Sequence, residues 1–573
     1  MRRSKVLGAS ILALGALVLC SLPMLAADAS PQPILQHATA FAAGRVTSGE
    51  APPPYGFHLA NPVGRIPKPF VSPVVDSVVQ SGAAPSGEFN LVYHVLGVGV
   101  GFPDPTVPND APSDTTLAVG TTEVVQWVNI YYADFNKSTG AIIPLNGQED
   151  TPGNTVWRNL LPGSLCANHD DGDIIVKFDR DAQRWILAQN VLFFPPPYAV
   201  CVAISQTATF SDNLWYAYQF PVVNNGWPDY PKWGVWSSHG ASDGYFQTWN
   251  NYGPGRYGFV GPVICGYDRA KMLVGDPSAE QICFQLPSDP TNYQDSLLPA
   301  DRDSPTQPPA TEDEFFIGCV GDVDNSHLSL YSMHINDWST GNATMTGNGN
   351  TQLVSIAPFT PSCNGEYGGA CVPQQGVPDM LDSLGWLLMY RFAYWEDRPP
   401  ANATATPPIP QPVQHWYVNF DVWNSSTSAI GVRWMEFTAN LNTVPVTALS
   451  IFQQGTYVGT SGDSNYRWMG SLARDNVDDV LVGYSVSSSS MHPSIAVAGR
   501  VSTDTLGTLS PEVFSVYGTG SQIDTGDRWG DYSTMAIDPS DNCTFFYTTE
   551  YFVTTRQFGW STDISSWKFP SCH

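Results

Sequence analysis

Hydrophobic positions along this chain come in short runs. From about residue 89 to the C-terminus, β-branched and aromatic residues cluster and are punctuated by Asp, Asn, Gly and Pro, the pattern of half-buried strands joined by turns. Helical periodicity is nearly absent. "SLGWLLMYRFAYW" (383–395) is the one ambiguous stretch, since so apolar a run also suits a buried helix.

The runs gather into successive groups. "TTLAVG" with "VVQWVNIYYADF" forms the first, "DIIVKFD", "RWILAQN", "CVAISQT" and "WYAYQF" the second, and "KWGVWS", "YFQTWN", "VICGYDR" and "ICFQL" the third. "FFIGCVGD" and "LSLYSMHI" follow, then "MYRFAYW", "WYVNFDVW" and "GVRWMEF", then "RWMGSLARD", "DVLVGYSVS" and "SIAVAGRV". The last group is "RWGDYSTMAIDPSDNCTFFYTTEYF" (528–552) with "FGWSTDI" and "WKF". Small antiparallel sheets repeated around an axis leave only short, protected edges, so the pattern predicts an all-β fold, a β-propeller of seven blades, with six as the alternative.

The segment before the propeller reads differently. Residues 1–29 carry Arg2, Arg3 and Lys5, an apolar run and Ala27-Asp28-Ala29, the layout of a cleavable signal peptide. Cys20 follows Leu19 where lipid attachment wants a small residue. Residues 30–88, rich in Pro, Ala, Gly and Ser, are expected to be a loosely ordered leader that packs only weakly on a propeller domain spanning 89–573.

Composition narrows the partners. The formal net charge is −27, and removal of the signal leaves 22 basic against 51 acidic groups, or −29. Nucleic acid and anionic membranes are poor partners for such a surface, and no later apolar run approaches the ~18 residues of a membrane span. Charged residues make up only 13% of the chain while aromatics reach 12%, the balance of a folded Trp- and Tyr-rich β protein rather than of an acidic disordered tail.

From "SDTTLAVGTTEVVQWVN" through "DDGDIIVKFDRDAQRW", "WPDYPKWGVW", "VICGYDRAKML", "YRWMGS", "GYSVSSS" and "RWGDYSTMAIDPSDNCTFFYTTEY" to "WKFPSC", the chain resembles a widespread set of bacterial secreted β-propeller proteins, distantly sialidase-like. The resemblance covers essentially residues 90–573. It implies the fold and export, and brings no established activity, substrate or catalytic residue. Cys319 stands in a strand where that set has no cysteine, which marks it as the odd thiol among the nine that outlast the signal. The remaining cysteines pair locally as Cys166–Cys201, Cys265–Cys283, Cys363–Cys371 and Cys543–Cys572, three of these joining neighbouring strands of one blade. No CxxC pair or HExxH spacing supports a zinc site.

Candidate chemistry lies in recurring residues. Gly240-Ala241-Ser242-Asp243-Gly244 fits GxSxG, but a strand follows it where a nucleophile elbow needs a helix, so a hairpin turn is expected. "LGVGVGF" (96–102) is no nucleotide loop, for the same reason. Arg-Trp occurs at 184–185, 433–434, 467–468 and 528–529. Arginines converging on a substrate carboxylate would explain the repeat, as would guanidinium groups packed on neighbouring strands. Arg467, Trp468, Arg528, Trp529 and Tyr532 are the candidate substrate-binding residues.

Acids that open the first strand of a blade are the sharper signal. Asp114, Asp173, Asp229, Asp382 and Asp531 each occupy such a position, and five carboxylates at one mouth of the central channel would raise one another's pKa values. Asp114, Asp229 and Asp531 are the candidate catalytic groups, with Glu550 beside them in the C-terminal stretch. Such a cluster could supply the acid and base of glycoside hydrolysis or lyase chemistry, or hold a hard cation such as calcium. Aspartates capping backbone amides at turns would produce the same recurrence. The expected function is that of an extracellular or periplasmic monomer binding or cleaving a polysaccharide or surface glycan at its channel face. The alternative is a non-catalytic adhesion or protein-binding module.

Overall fold

The computed structural model describes residues 31–48, 58–59, 73–80, 88–103, 110–192, 195–253, 257–288, 294–319, 324–347, 352–365, 370–385, 387–397, 414–439, 446, 448–459 and 463–573. The expected signal peptide lies outside them. The protein is an all-β propeller built of antiparallel ladders in chain order.

The first ladder runs Thr116–Val119, Glu123–Val128, Tyr131–Asn136, Thr151–Pro152, and the second Ile175–Asp179, Arg184–Val191, Ala199–Ser205, Leu214–Pro221. Trp227–Trp236, Gly244–Gly253, Tyr257–Asp268 and Glu280–Gln285 make the third. Leu298–Arg302, Glu314–Cys319 and His327–Asp337 begin the next, and Leu388–Glu396, Gln414–Asn424, Ala429–Ala439 and Leu449–Tyr457 form the one after it. These two are joined by parallel pairing of Leu298–Arg302 with Leu388–Glu396. Tyr466–Arg474, Val480–Ser488, Met491–Arg500 and Val513–Val516 follow. The last ladder is Thr534–Ile537, Thr544–Phe552 and Trp560–Lys568, completed on its outer edge by Asn90–Leu96.

The first strand of every ladder packs against the first strand of the next, and Thr534–Ile537 meets Thr116–Val119 to close the ring. These inner strands are buried on both faces, which is why they read as continuous rather than alternating apolar runs. Twelve tryptophans are among the largest fully buried side chains, so the high aromatic content fills the spaces between ladders.

The structure resolves one ambiguity and differs from the sequence expectation in two features. "SLGWLLMYRFAYW" contributes the strand Leu388–Glu396, buried throughout and paired on both edges, to Leu298–Arg302 and Gln414–Asn424. "FGWSTDI" and "WKF" belong to one strand, Trp560–Lys568. Much of the presumed loose leader is built into the propeller. Ile34–His37 adds to Glu280–Gln285, and Ala40–Arg45 adds to Leu214–Pro221, each as a fifth strand. Asp76 accepts from the Thr456 hydroxyl at 2.7 Å and pairs at 2.7 Å with Arg433, which is wholly buried. Gln80 exchanges two hydrogen bonds with the Leu509 backbone. Backbone pairing requires no apolar alternation, so a Pro- and Ala-rich segment can add to an open edge without announcing it.

The disulfides are Cys166–Cys201, Cys265–Cys283, Cys363–Cys371 and Cys543–Cys572, with Cα separations of 4.1–5.6 Å, and Cys319 is a buried thiol outside them. Gly240–Gly244 is the expected turn between strands, Ser242 accepting from the Ile335 amide at 3.2 Å. No helix among the described residues is long and apolar enough to cross a membrane.

Two outcomes test this architecture. Non-reducing peptide mapping should recover the four bridges and find Cys319 alkylated only after unfolding. Asp76→Ala, which strands the buried Arg433 guanidinium, should lower the unfolding free energy by about 3 kcal/mol in a urea titration; a change near zero would mean that the segment is merely draped on the ring.

Candidate functional site

The inner strands run the same way along the channel, so their first residues gather at one mouth and their last at the other. At the strand-start mouth, Asp114, Asp173 and Asp531 each offer a carboxylate oxygen, and the three oxygens lie within 4.8 Å of one another. Asp114 and Asp173 adopt left-handed backbone, φ 46° and 52°, two residues before the first paired residue of their strands. Ser296 stands two residues before Leu298 in the same way, and Tyr230 and Met469 are left-handed at bulges, each two residues before pairing resumes at Lys232 and Ser471. Such a conformation costs a non-glycine residue roughly 1 kcal/mol, least for Asp and Asn, and is maintained by the surrounding fold.

Asp531 arrives differently. Its amide donates to Asp114 Oδ1 at 2.6 Å, and both its carboxylate oxygens accept from Arg528 Nη2 at 2.5 Å. Asp114 Oδ2 has no hydrogen-bond partner. Glu550 accepts from the Ser113 amide at 3.2 Å through Oε2, while its Oε1 is unpartnered. Lys232 is wholly buried beside them, its Nζ 3.0 Å from the Tyr230 ring centroid and 3.8 Å from that of Tyr532, with no hydrogen-bond partner.

Burial dominates the electrostatics. It pushes Asp114 well above the carboxylate range, with Asp531 and Asp173 adding their repulsion. Burial and Asp531 lift Asp173 to about 6, against the pull of Lys232. The Lys232 ammonium is driven well down by burial although all three acids oppose this. Burial thus raises Asp114 and Asp173 and lowers Lys232, each toward its neutral form. Its three carboxylate oxygens are also of the kind and spacing that could hold a metal ion.

Two of the five expected acids stand apart from this triad. Asp229 is one residue ahead of Tyr230, which takes the place equivalent to Asp114 and Asp173; it pairs with Asn250 in the ladder and acts electrostatically on Tyr252. One residue of offset turns a side chain to the other face of a strand. Asp382 accepts from the Leu384 amide at 2.8 Å, its own amide donates to Asp527, and its charge acts on Arg528.

The Arg-Trp pairs do not converge. Arg467 is buried and forked by Asp463 and Glu512, at 2.8 and 2.7 Å. Arg433 is held by Asp76, and Arg184 donates to the carbonyls of Ala182 and Gln183. Trp468 and Trp529 pack on each other in the core, centroids 5.6 Å apart, and the Tyr532 hydroxyl donates to the Pro231 carbonyl at 3.0 Å. Of the candidate binding residues, Arg528 and Tyr532 belong to the mouth.

The strand-end mouth carries residues that the sequence pattern did not single out. A cavity of about 40 Å³ is bordered by Lys177, Arg180, Asp301, Arg302, Asp303 and Arg391. Asp301 pairs with Lys177 and, at 2.6 Å, with Arg391, which also reaches Asp303. Arg302 pairs with Asp181, and Arg180 donates to Asn542 Oδ1 at 2.5 Å and to the Asp303 carbonyl. The available signal was a lone charge inside an apolar strand, Lys177 in "IIVKFD" and Arg391 in "MYRFAYW", since such a charge must find partners within the fold.

No family model matches the chain, and no curated protein matches it. Among solved structures, it is similar to a protein of unknown function from Dyadobacter fermentans DSM 18053, at 9% identity over 84% of this chain and 99% of that one, with a TM-score of 0.34. The Hadza microbial sialidase Hz136 matches at 10% identity over 80% of this chain and 75% of that one, TM-score 0.33. An endo-1,5-alpha-L-arabinanase from Thermotoga petrophila RKU-1 matches at 10% identity over 79% and 97%, TM-score 0.23.

The strand-start mouth makes a pH prediction. Burial lifts Glu550 to about 7, against its hydrogen bonds to Ser113. Between its unfolded value near 4.3 and that folded value, the native state binds more protons than the unfolded one. The contribution is therefore full below about pH 4 and lost as pH rises toward 7. Glu550→Gln should unfold at higher urea than the parent at pH 8, by up to roughly 3 kcal/mol, with little difference at pH 4. Equal stability at pH 8 would show Glu550 to be ordinary.

Proposed function

We propose that this is an exported propeller of seven blades, one per ladder, that binds an extracellular polysaccharide through an acidic substituent presented to the strand-end mouth. The observation that carries this is the charge of the cavity there. Lys177, Arg302 and Arg391 are matched there by Asp301, Asp303 and Asp181, while Arg180 is held only by neutral acceptors, a local excess of one positive charge in a chain of net charge −27. At physiological salt the repulsion of distant acids is screened within about 8 Å, so the ligand responds to these neighbours.

Cavity size favours binding over cleavage. A space of about 40 Å³ takes one carboxylate or a few waters but not a sugar ring, so the polymer lies across the mouth with one group inserted. Asp301 and Asp303 are both engaged by cations, which leaves no pair of free carboxylates for acid and base roles. At the other mouth, Asp114 and Asp531 are buried, and Asp531 is taken by Arg528, so neither they nor Asp229 act on glycosidic bonds in this proposal. Four disulfides are compatible with an oxidising extracellular or periplasmic setting.

One observation favours hydrolysis as a second possibility. Burial raises Asp303, whereas Lys177 and Arg391 hold Asp301 below the carboxylate range despite burial. Neighbouring acids with pKa values pushed apart are the usual arrangement of a general acid and its partner.

The mature protein should therefore be titrated against neutral, uronate-bearing and sialate-bearing polysaccharides, with binding and released reducing ends both scored. Retention of the acidic polymers without release is expected, weakened about tenfold or more by Arg180→Ala. Equal binding of neutral polymers would sink the proposal. Sugar release lost in Asp303→Asn would replace it with hydrolysis.

A further inference from the structure

We propose that Asp114, Asp173 and Asp531 together hold one hard divalent cation, calcium above all, at the strand-start mouth. This site lies at the opposite end of the channel from the polysaccharide site and does not depend on it. Calcium binds oxygens at about 2.4 Å, so two ligands on opposite sides of one ion stand about 4.8 Å apart. The three carboxylate oxygens meet that limit. The cluster contains neither His nor Cys, which disfavours zinc and softer metals.

Independent observations point to a ligand here. Asp114 is 1% exposed, yet its Oδ2 has no hydrogen-bond partner, and neither has Glu550 Oε1, also 1% exposed. A buried carboxylate oxygen without a donor is costly, and an ion is one of the few things that offsets it. The cation already built into the mouth does not do so. Lys232 Nζ sits over the rings of Tyr230 and Tyr532 without a hydrogen-bond partner, and acts on the three acids only through space. Arg528 grips Asp531 and fixes that ligand's orientation. Asp173 is only half-buried, which leaves a route for the ion and for the waters that complete its shell.

The three ligands come from the first, second and last ladders. A cation here would tie the two ends of the ring to each other, in the manner of a staple, so that binding appears as stability.

The test uses mature protein stripped with chelator. Calcium should raise its melting temperature by several degrees, and terbium should give emission sensitised by Tyr230 and Tyr532 and displaced by calcium. Asp114→Asn and Asp173→Asn should each weaken terbium binding at least about tenfold, while Asp276→Asn, on the surface, should match the parent. Absence of both the thermal shift and the emission in the parent would overturn the proposal, as would parental affinity in the Asp114 and Asp173 variants. Should Asp114→Asn fail to fold, the half-buried Asp173→Asn decides.

Discussion

Everything in this molecule depends on closing the ring. The last ladder has only three strands from the C-terminal part of the chain, and Asn90–Leu96 supplies the fourth by pairing with Trp560–Lys568. Antiparallel backbone hydrogen bonds across this join, together with side-chain bonds such as Gln126 to Thr548 and Thr562 at 2.7 and 3.0 Å, replace what would otherwise be an open edge. Loop-closure entropy rises only slowly with length, so a join across most of the chain costs little more than one across half of it.

The strand-start mouth is a product of that closure. The Asp531 amide reaches Asp114 across 417 residues, and neither residue has its present surroundings unless the first and last ladders are adjacent. The join also explains why charge can be buried there. Ring closure surrounds the acids with the inner strands, and the resulting desolvation, more than any single neighbour, lifts Asp114, Asp173 and Glu550 and depresses Lys232.

The two mouths solve the same electrostatic problem differently. At the strand ends, Lys177, Arg302 and Arg391 meet Asp301, Asp303 and Asp181 in direct ion pairs, so charge is retained and shared. At the strand starts, Arg528 pairs with Asp531, while burial shifts Asp114, Asp173, Glu550 and Lys232 toward their neutral forms without direct ion pairs among the described residues, and the proposed ion would offset the acids instead. A channel with opposite habits at its ends gives the fold two chemically distinct faces from one repeated strand.

The sequence by itself determined the all-β propeller and the disulfide map. Those properties are local: runs such as "CVAISQT" and "DVLVGYSVS" carry their own strand signal, and bridged cysteines lie within one ladder or at its margin. It did not disclose that Ile34–His37, Ala40–Arg45 and Asp76 join the ring, because edge pairing and one buried salt bridge leave no periodic trace. Nor could it tell Asp173 from Asp229, both set at the head of an inner strand. Only the tertiary structure decided that. In the first two ladders the left-handed residue is the acid itself, Asp114 and Asp173, whereas in the third it is Tyr230 with Asp229 one residue before it, and that offset, invisible in a pattern of period two, decides whether a carboxylate joins the cluster.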